Sequence, residues 1–102
     1  MPGSGRELAA RLAGVRAELA LIARAVQERV LDELAEQALP ELAETAFAAA
    51  DTANAIATAA TGRVDATGVL RSRGVIATTT WLRASTGMGR REARAVVARA
   101  RD

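Results

Sequence analysis

The sequence contains no cysteine and no histidine, and its only aromatic residues are Phe47 and Trp81. Without cysteine the chain forms no disulfide, and without both residue types it lacks the ligands of an ordinary zinc site. It also lacks the histidine base that usually activates a serine or threonine nucleophile. We therefore predict a protein that is not an enzyme and that holds no metal, no cofactor and no small-molecule ligand.

Long hydrophobic runs are missing as well. No apolar stretch approaches the ~20 residues that a membrane-spanning helix needs, and residues 1–5 lack the apolar centre of a signal peptide. The sequence therefore predicts a cytoplasmic protein without membrane contact.

Acidic residues form two small groups that could in principle bind a metal. Their helical spacing instead suits a solvated face, and no histidine is available to complete either group. We expect solvation for all five of them: Asp32, Glu33, Glu36, Glu41 and Glu44.

Alanine dominates the apolar half of the composition, and Val, Ile and Thr never alternate with polar residues over the length of a strand. Because alanine is the strongest helix former and buries little area, closely packed helices with thin side chains between them are expected. A chain of 102 residues has room for one domain. The predicted fold class is all-α.

Charge divides this domain into two regions. Residues 1–60 contain five arginines and nine acidic residues, whereas residues 61–102 contain nine arginines and three acidic residues, and lysine is absent. Such asymmetry indicates a polyanionic partner for the basic end. We accordingly predict an acidic helical hairpin over residues 5–61 and a basic helix-turn-helix-like segment over residues 62–102.

Residues 5–39 are predicted to form one long helix that Pro40 ends. Its apolar seam, with alternating intervals of four and three, consists of Leu8, Leu12, Val15, Leu19, Ile22 and Val26. A parallel homodimer would bring Arg11 of one copy against Arg16 of the other, which disfavours that arrangement. We expect the seam to pack on the second helix of the same chain. An antiparallel partner, and hence a homo-oligomer through the N-terminal helices, is the alternative.

The second helix is predicted over residues 41–61, with Pro40 near its start. Its apolar stripe consists of Leu42, Ala46, Ala49, Ala53, Ile56 and Ala60. Phe47 is expected in the core. Either Gly62 or Gly68 ends this helix, and the sequence does not decide between them.

Two short helices are predicted near the C-terminus, over residues 78–85 and 90–101, with a glycine turn between them. This is the pattern of a helix-turn-helix. The core of the segment is predicted to consist of Trp81, Leu82, Val96 and Val97. The side chains predicted to contact nucleic acid are Arg90, Arg91, Arg94, Arg99 and Arg101.

An arginine-rich helix after a glycine turn suits contact with DNA phosphates. The last helix contains no Asn or Gln, so we expect mostly backbone contact and little sequence discrimination. Two alternatives stay open. In the first, Trp81 is a base-stacking platform instead of a core residue. In the second, the arginine face is only solvated, and the N-terminal helices form an oligomerisation or docking surface without nucleic-acid binding.

Several short elements follow one another in the second half of the chain: Val64-Asp65-Ala66-Thr67-Gly68, Gly74, Trp81-Leu82, Thr86-Gly87-Met88, Arg91-Glu92-Ala93-Arg94 and Ala98-Arg99-Ala100-Arg101. In order and spacing they resemble the DUF222 family, also called the 13E12 repeat region, of actinobacterial proteins. The resemblance covers residues 53–101.

That family's domain usually precedes an HNH endonuclease, so the resemblance implies a helical accessory unit that positions a nuclease on DNA. An HNH nuclease needs histidine and a metal, so its activity is not carried over to this chain. The sequence departs from the family at two positions. Ala77 stands where the family tends to have Ser, and Gly89 stands where it tends to have Ser or Pro.

Overall fold

The computed structural model describes residues 4–28, 36–75 and 77–102. These residues form four α-helices and no strand: α1 (Gly5–Gln27), α2 (Ala38–Thr67), α3 (Thr78–Thr86) and α4 (Arg90–Arg101), with a 3-10 helix (Arg71–Arg73) between α2 and α3. The all-α fold class is therefore confirmed. No helix within the described residues is both long and apolar enough to cross a membrane.

The helix α1 begins at a capping residue, because the Ser4 hydroxyl oxygen accepts the backbone N–H of Glu7 at 3.2 Å. It ends at Gln27, so the prediction of one helix over residues 5–39 is wrong. Residues 29–35 of that predicted helix lie outside the described residues.

The helix α2 starts two residues before Pro40, at Ala38, so this proline does not end the first helix. It occupies the first turn of the second, where the missing backbone N–H has no partner to lose. The helix then continues to Thr67 and stops at Gly68, which has a left-handed φ of 66°. This settles the choice between the two glycines, because Gly68 supplies the conformation that commonly ends a helix.

The other candidate, Gly62, lies inside α2 for a packing reason. A Cβ atom built on it would lie 2.9 Å from the carbonyl oxygen of Ala100 in α4. The lack of a side chain therefore permits close approach of these two helices.

The prediction that the chain itself buries the apolar seam is wrong, whereas its burial by an antiparallel partner stays a prediction. No residue of α1 is buried, and the six seam side chains are 39–53% exposed. In α2 the prediction for Phe47 is also wrong, because this residue is 75% exposed. The buried residue of α2 is Thr61, whose hydroxyl donates to the carbonyl oxygen of Ala57 at 2.7 Å.

Residues 45–102 form one compact unit and residues 1–44 another. Within the unit of residues 45–102, the buried cluster consists of Leu82, Ala93 and Val97. Trp81, Met88 and Val96 are partly buried and pack against it. We call these six residues the C-terminal core. They join α3 to α4.

Candidate nucleic-acid interface

The turn between α3 and α4 consists of Gly87, Met88 and Gly89. Gly87 has a left-handed φ of 76°, and its N–H donates to the carbonyl oxygen of Arg83 at 3.0 Å, which closes the end of α3. Gly89 is the N-cap residue of α4, and its carbonyl oxygen accepts the N–H of Ala93 at 2.9 Å. A three-residue turn with glycine at both ends matches the spacing predicted for a helix-turn-helix.

The side chain of Thr86 stabilises this turn through two hydrogen bonds. Its hydroxyl donates to the carbonyl oxygen of Leu82 at 2.6 Å and accepts the N–H of Met88 at 3.2 Å. Because Met88 then packs against the C-terminal core, the turn is held both by hydrogen bonds and by apolar contact.

The way α4 is docked decides which of its side chains face solvent. Ala93 is completely buried and Val97 nearly so, and both lie on one side of the helix. Helical geometry places Arg91 opposite that side. Arg90 and Arg94 lie together on the flank next to Val97, and Arg99 lies on the other flank.

Four of the five predicted arginines are exposed and make no ion pair within the described residues: Arg90, Arg91, Arg94 and Arg99. The first three surround the N-terminal half of α4. Arg99 stands apart, where it lines a groove together with Asp51 and Asn54 of α2. The structure therefore brings three of the predicted residues together and separates the fourth from them.

The fifth, Arg101, is engaged by a carboxylate. Its Nε donates to Oδ2 of Asp65 at 2.7 Å, and its Nη2 donates to Oδ1 at 3.1 Å. The same Oδ1 atom accepts the hydroxyl of Thr78 at 2.6 Å. Asp65 thus ties the end of α2 to the start of α3 and the end of α4.

These bonds lower the pKa of Asp65 from 3.8 to about 2, chiefly through the hydrogen bond from Arg101 and next through that from Thr78. The ion pair in turn raises the pKa of Arg101. Sequence reasoning missed this contact because 36 residues separate the two partners. The available signal was compositional, since Asp65 is one of three acidic residues in the basic region.

The remaining predicted side chains belong to the core and to the acidic groups. Trp81 and Val96 are partly buried against the buried Leu82 and Val97. Of the acidic residues, Asp32 and Glu33 lie outside the described residues, while Glu36, Glu41 and Glu44 are exposed. No group of three or more acidic residues in the described part of the chain is placed to hold a metal.

Fold and surface together define an all-α protein with a helix-turn-helix-like unit whose last helix exposes several arginines. Comparison of the chain with protein-family models, with curated proteins and with solved structures gives no match. The resemblance of residues 53–101 to DUF222 therefore stays a prediction.

Proposed function

We propose that this chain is a non-catalytic DNA-binding module that contacts the phosphate backbone through Arg90, Arg91 and Arg94. The observation that carries the proposal is the position of these three guanidinium groups. They are exposed, and unpaired among the residues that the structure describes, at the start of a helix whose opposite side is fixed in the C-terminal core. In helix-turn-helix proteins the N-terminal residues of the second helix are those that meet the DNA.

The ion pair with Asp65 refines the predicted site. Two N–H donors of Arg101 are already bonded to this carboxylate, and Arg99 lies on the flank of α4 opposite to Arg90 and Arg94. Neither arginine therefore belongs to the main contact with DNA. The contact would then be small and electrostatic. Consistent with the DUF222 resemblance, such a module would serve as an accessory unit that holds a nuclease or another partner on DNA.

Titration of a DNA duplex at several salt concentrations tests the proposal. If three phosphates are neutralised, the affinity falls about 40-fold between 50 and 200 mM salt. The double variant Arg91→Glu, Arg94→Glu should lose most of the affinity and most of the salt dependence. The control Arg6→Glu, Arg24→Glu makes the same change in net charge on α1 and should retain the salt dependence. Equal effects of both variants, or no binding at 50 mM salt, would contradict the proposal.

A second candidate function, self-association, is favoured by the exposed seam of α1. An antiparallel pair of α1 helices that stacks Leu12 of one copy on Val15 of the other places Arg11 beside Glu18 of the second copy, twice over. The parallel arrangement places Arg11 beside Arg16 instead. In this register, charge complementarity favours the antiparallel homodimer over the parallel one.

The substitution Arg11→Glu separates the two arrangements. In the antiparallel pair it sets the introduced carboxylate against that of Glu18 and weakens association, whereas in a parallel pair it creates attraction to Arg16. The double variant Arg11→Glu, Glu18→Arg should restore the antiparallel dimer in sedimentation equilibrium. A chain that stays monomeric at high concentration would exclude this second function.

A further inference from the structure

A cleft of about 500 Å³ opens in the unit of residues 45–102. It lies between the end of α2, the 3-10 helix, the start of α3 and one flank of α4. Its polar lining consists of Asp65, Arg71, Thr78, Thr79, Arg94 and Arg101. We call it the arginine cleft. We propose that the arginine cleft seats one phosphate group of the DNA backbone, an inference that rests on the proposed function.

The charges around the cleft favour an anion. Three guanidinium groups and one carboxylate line it, which leaves an excess of two positive charges. The carboxylate of Asp65 is already bound by Arg101 and Thr78. Arg71 and Arg94 make no ion pair within the described residues, so both are available to a ligand. Guanidinium groups bind phosphate through paired N–H donors, which suits this ligand class.

The start of α3 adds neutral donors to the same cleft. Ala77 is the N-cap residue of α3 and provides no capping side chain, so the first backbone N–H groups of the helix have no side-chain acceptor at the cap. Thr79 also lines the cleft, and its hydroxyl makes no hydrogen bond to any described residue. Backbone N–H groups at a helix start favour phosphate, and here they supplement the two arginines.

The cleft and the DNA-binding surface share one residue. Arg94 lines the cleft and also belongs to the flank of α4 that carries Arg90. A DNA strand that contacts Arg94 would therefore also lie next to the lining of the cleft. This geometry makes Arg71, to which no sequence pattern points, a phosphate ligand outside the last helix.

The 3-10 helix supplies a matched pair of variants for the test. Arg71 and Arg73 both lie in it and both are exposed, but only Arg71 lines the cleft. Arg71→Ala should weaken binding to a DNA duplex at every sequence and reduce the slope of log affinity against log salt by about 1. Arg73→Ala should leave the slope unchanged. Circular dichroism checks that both variants fold.

The outcomes separate this inference from the proposed function. Equal slopes for Arg71→Ala and Arg73→Ala would overturn the phosphate site in the cleft. If Arg90→Glu, Arg91→Glu, at two residues that do not line the cleft, still abolishes binding in that case, the DNA-binding function stands without the cleft. Absence of binding by the unaltered chain at 50 mM salt would remove the function, and the phosphate site with it.

Discussion

The helix α1 and the pair formed by α3 and α4 show opposite relations between sequence pattern and burial. The 23-residue α1 carries the most regular apolar seam in the chain, yet none of its residues is buried. The 9-residue α3 and the 12-residue α4 offer much shorter apolar sides, yet they enclose the C-terminal core. An apolar period therefore predicts a helix and its apolar side, but not what covers that side.

The largest effect that this comparison predicts comes from truncating one leucine in each region. Leu82→Ala removes a side chain that is 5% exposed and should lower the free energy of unfolding of residues 45–102 by about 2–5 kcal/mol. Leu19→Ala acts on a side chain that is 48% exposed and should change the free energy of unfolding of the monomer by about 0.5 kcal/mol or less.

Urea denaturation at low protein concentration measures both changes. At high protein concentration, Leu19→Ala should lower the free energy of unfolding only if α1 forms a dimer. The concentration dependence therefore also tests self-association. Similar losses for the two variants at low concentration would contradict the difference in burial.

Substitution of alanine for glycine should change the free energy of unfolding with opposite sign in α1 and in α2. Gly62→Ala sets a Cβ atom 2.9 Å from the Ala100 carbonyl oxygen. The end of α4 must then shift, at a cost of about 1–3 kcal/mol that outweighs the gain in helix propensity of about 1 kcal/mol. Gly14→Ala in α1 meets nothing within 4 Å and should stabilise the helix by about 0.5–1 kcal/mol.

Thermal unfolding followed by circular dichroism measures whether each substitution raises or lowers the stability. Stabilisation by Gly62→Ala would show that α2 and α4 are not in close contact. The resonances of Arg99 and Arg101, recorded by NMR, should move in Gly62→Ala and stay in place in Gly14→Ala.

A third prediction concerns pH and the ion pair of Asp65. Its folded pKa of about 2 lies below the ordinary value of 3.8, so the folded state binds the proton less readily than the unfolded state does. The resulting stabilisation is fully present above the ordinary value and is lost as the pH falls towards 2. Asp65→Asn removes this acid-sensitive contribution.

Chemical denaturation at pH 6, 4 and 2.5 tests the sign. The gap in the free energy of unfolding between the unaltered chain and Asp65→Asn should narrow as the pH falls. The exposed residue Asp51, for which Asp51→Asn is the control, makes no ion pair with Arg101 and should produce no such narrowing. A constant gap for Asp65→Asn would mean that the ion pair does not form in solution.

Local signals predicted the ends of α3 and α4 well. Glycines at positions 87 and 89 bracket the turn, and the predicted residues 78–85 and 90–101 differ from the observed helices by one residue at most. The same reasoning failed at Pro40, because proline near a helix end also suits the first turn of the next helix.

The candidate site divides in the same way. The helical period placed Arg91 and Arg94 on the exposed side of α4 from sequence alone. The period could not show that Arg101 meets Asp65 or that Arg71 faces the cleft, because both facts depend on how distant segments pack. The prediction that Phe47 is buried was wrong for the same reason, since an aromatic residue is buried only where another element covers it.

The smallest effect is expected from giving α3 the cap that α1 already has. Ala77 is extended at φ −133° and ψ 139°, a backbone conformation in which serine caps well. Ala77→Ser should therefore raise the free energy of unfolding by about 0.5–1 kcal/mol. The control Ala84→Ser lies within α3 and is exposed, so it should lower the free energy by about 0.5 kcal/mol through helix propensity.

The same substitution bears on the arginine cleft. A serine hydroxyl at position 77 would accept a backbone N–H from the first turn of α3, one of the donors that we assign to the phosphate. Ala77→Ser should then bind the DNA duplex more weakly although the protein is more stable. Ala84→Ser should leave the affinity unchanged. A stabilised Ala77→Ser variant with undiminished affinity would mean that the start of α3 contributes no donor to the phosphate, and Arg71 and Arg94 would have to hold it alone.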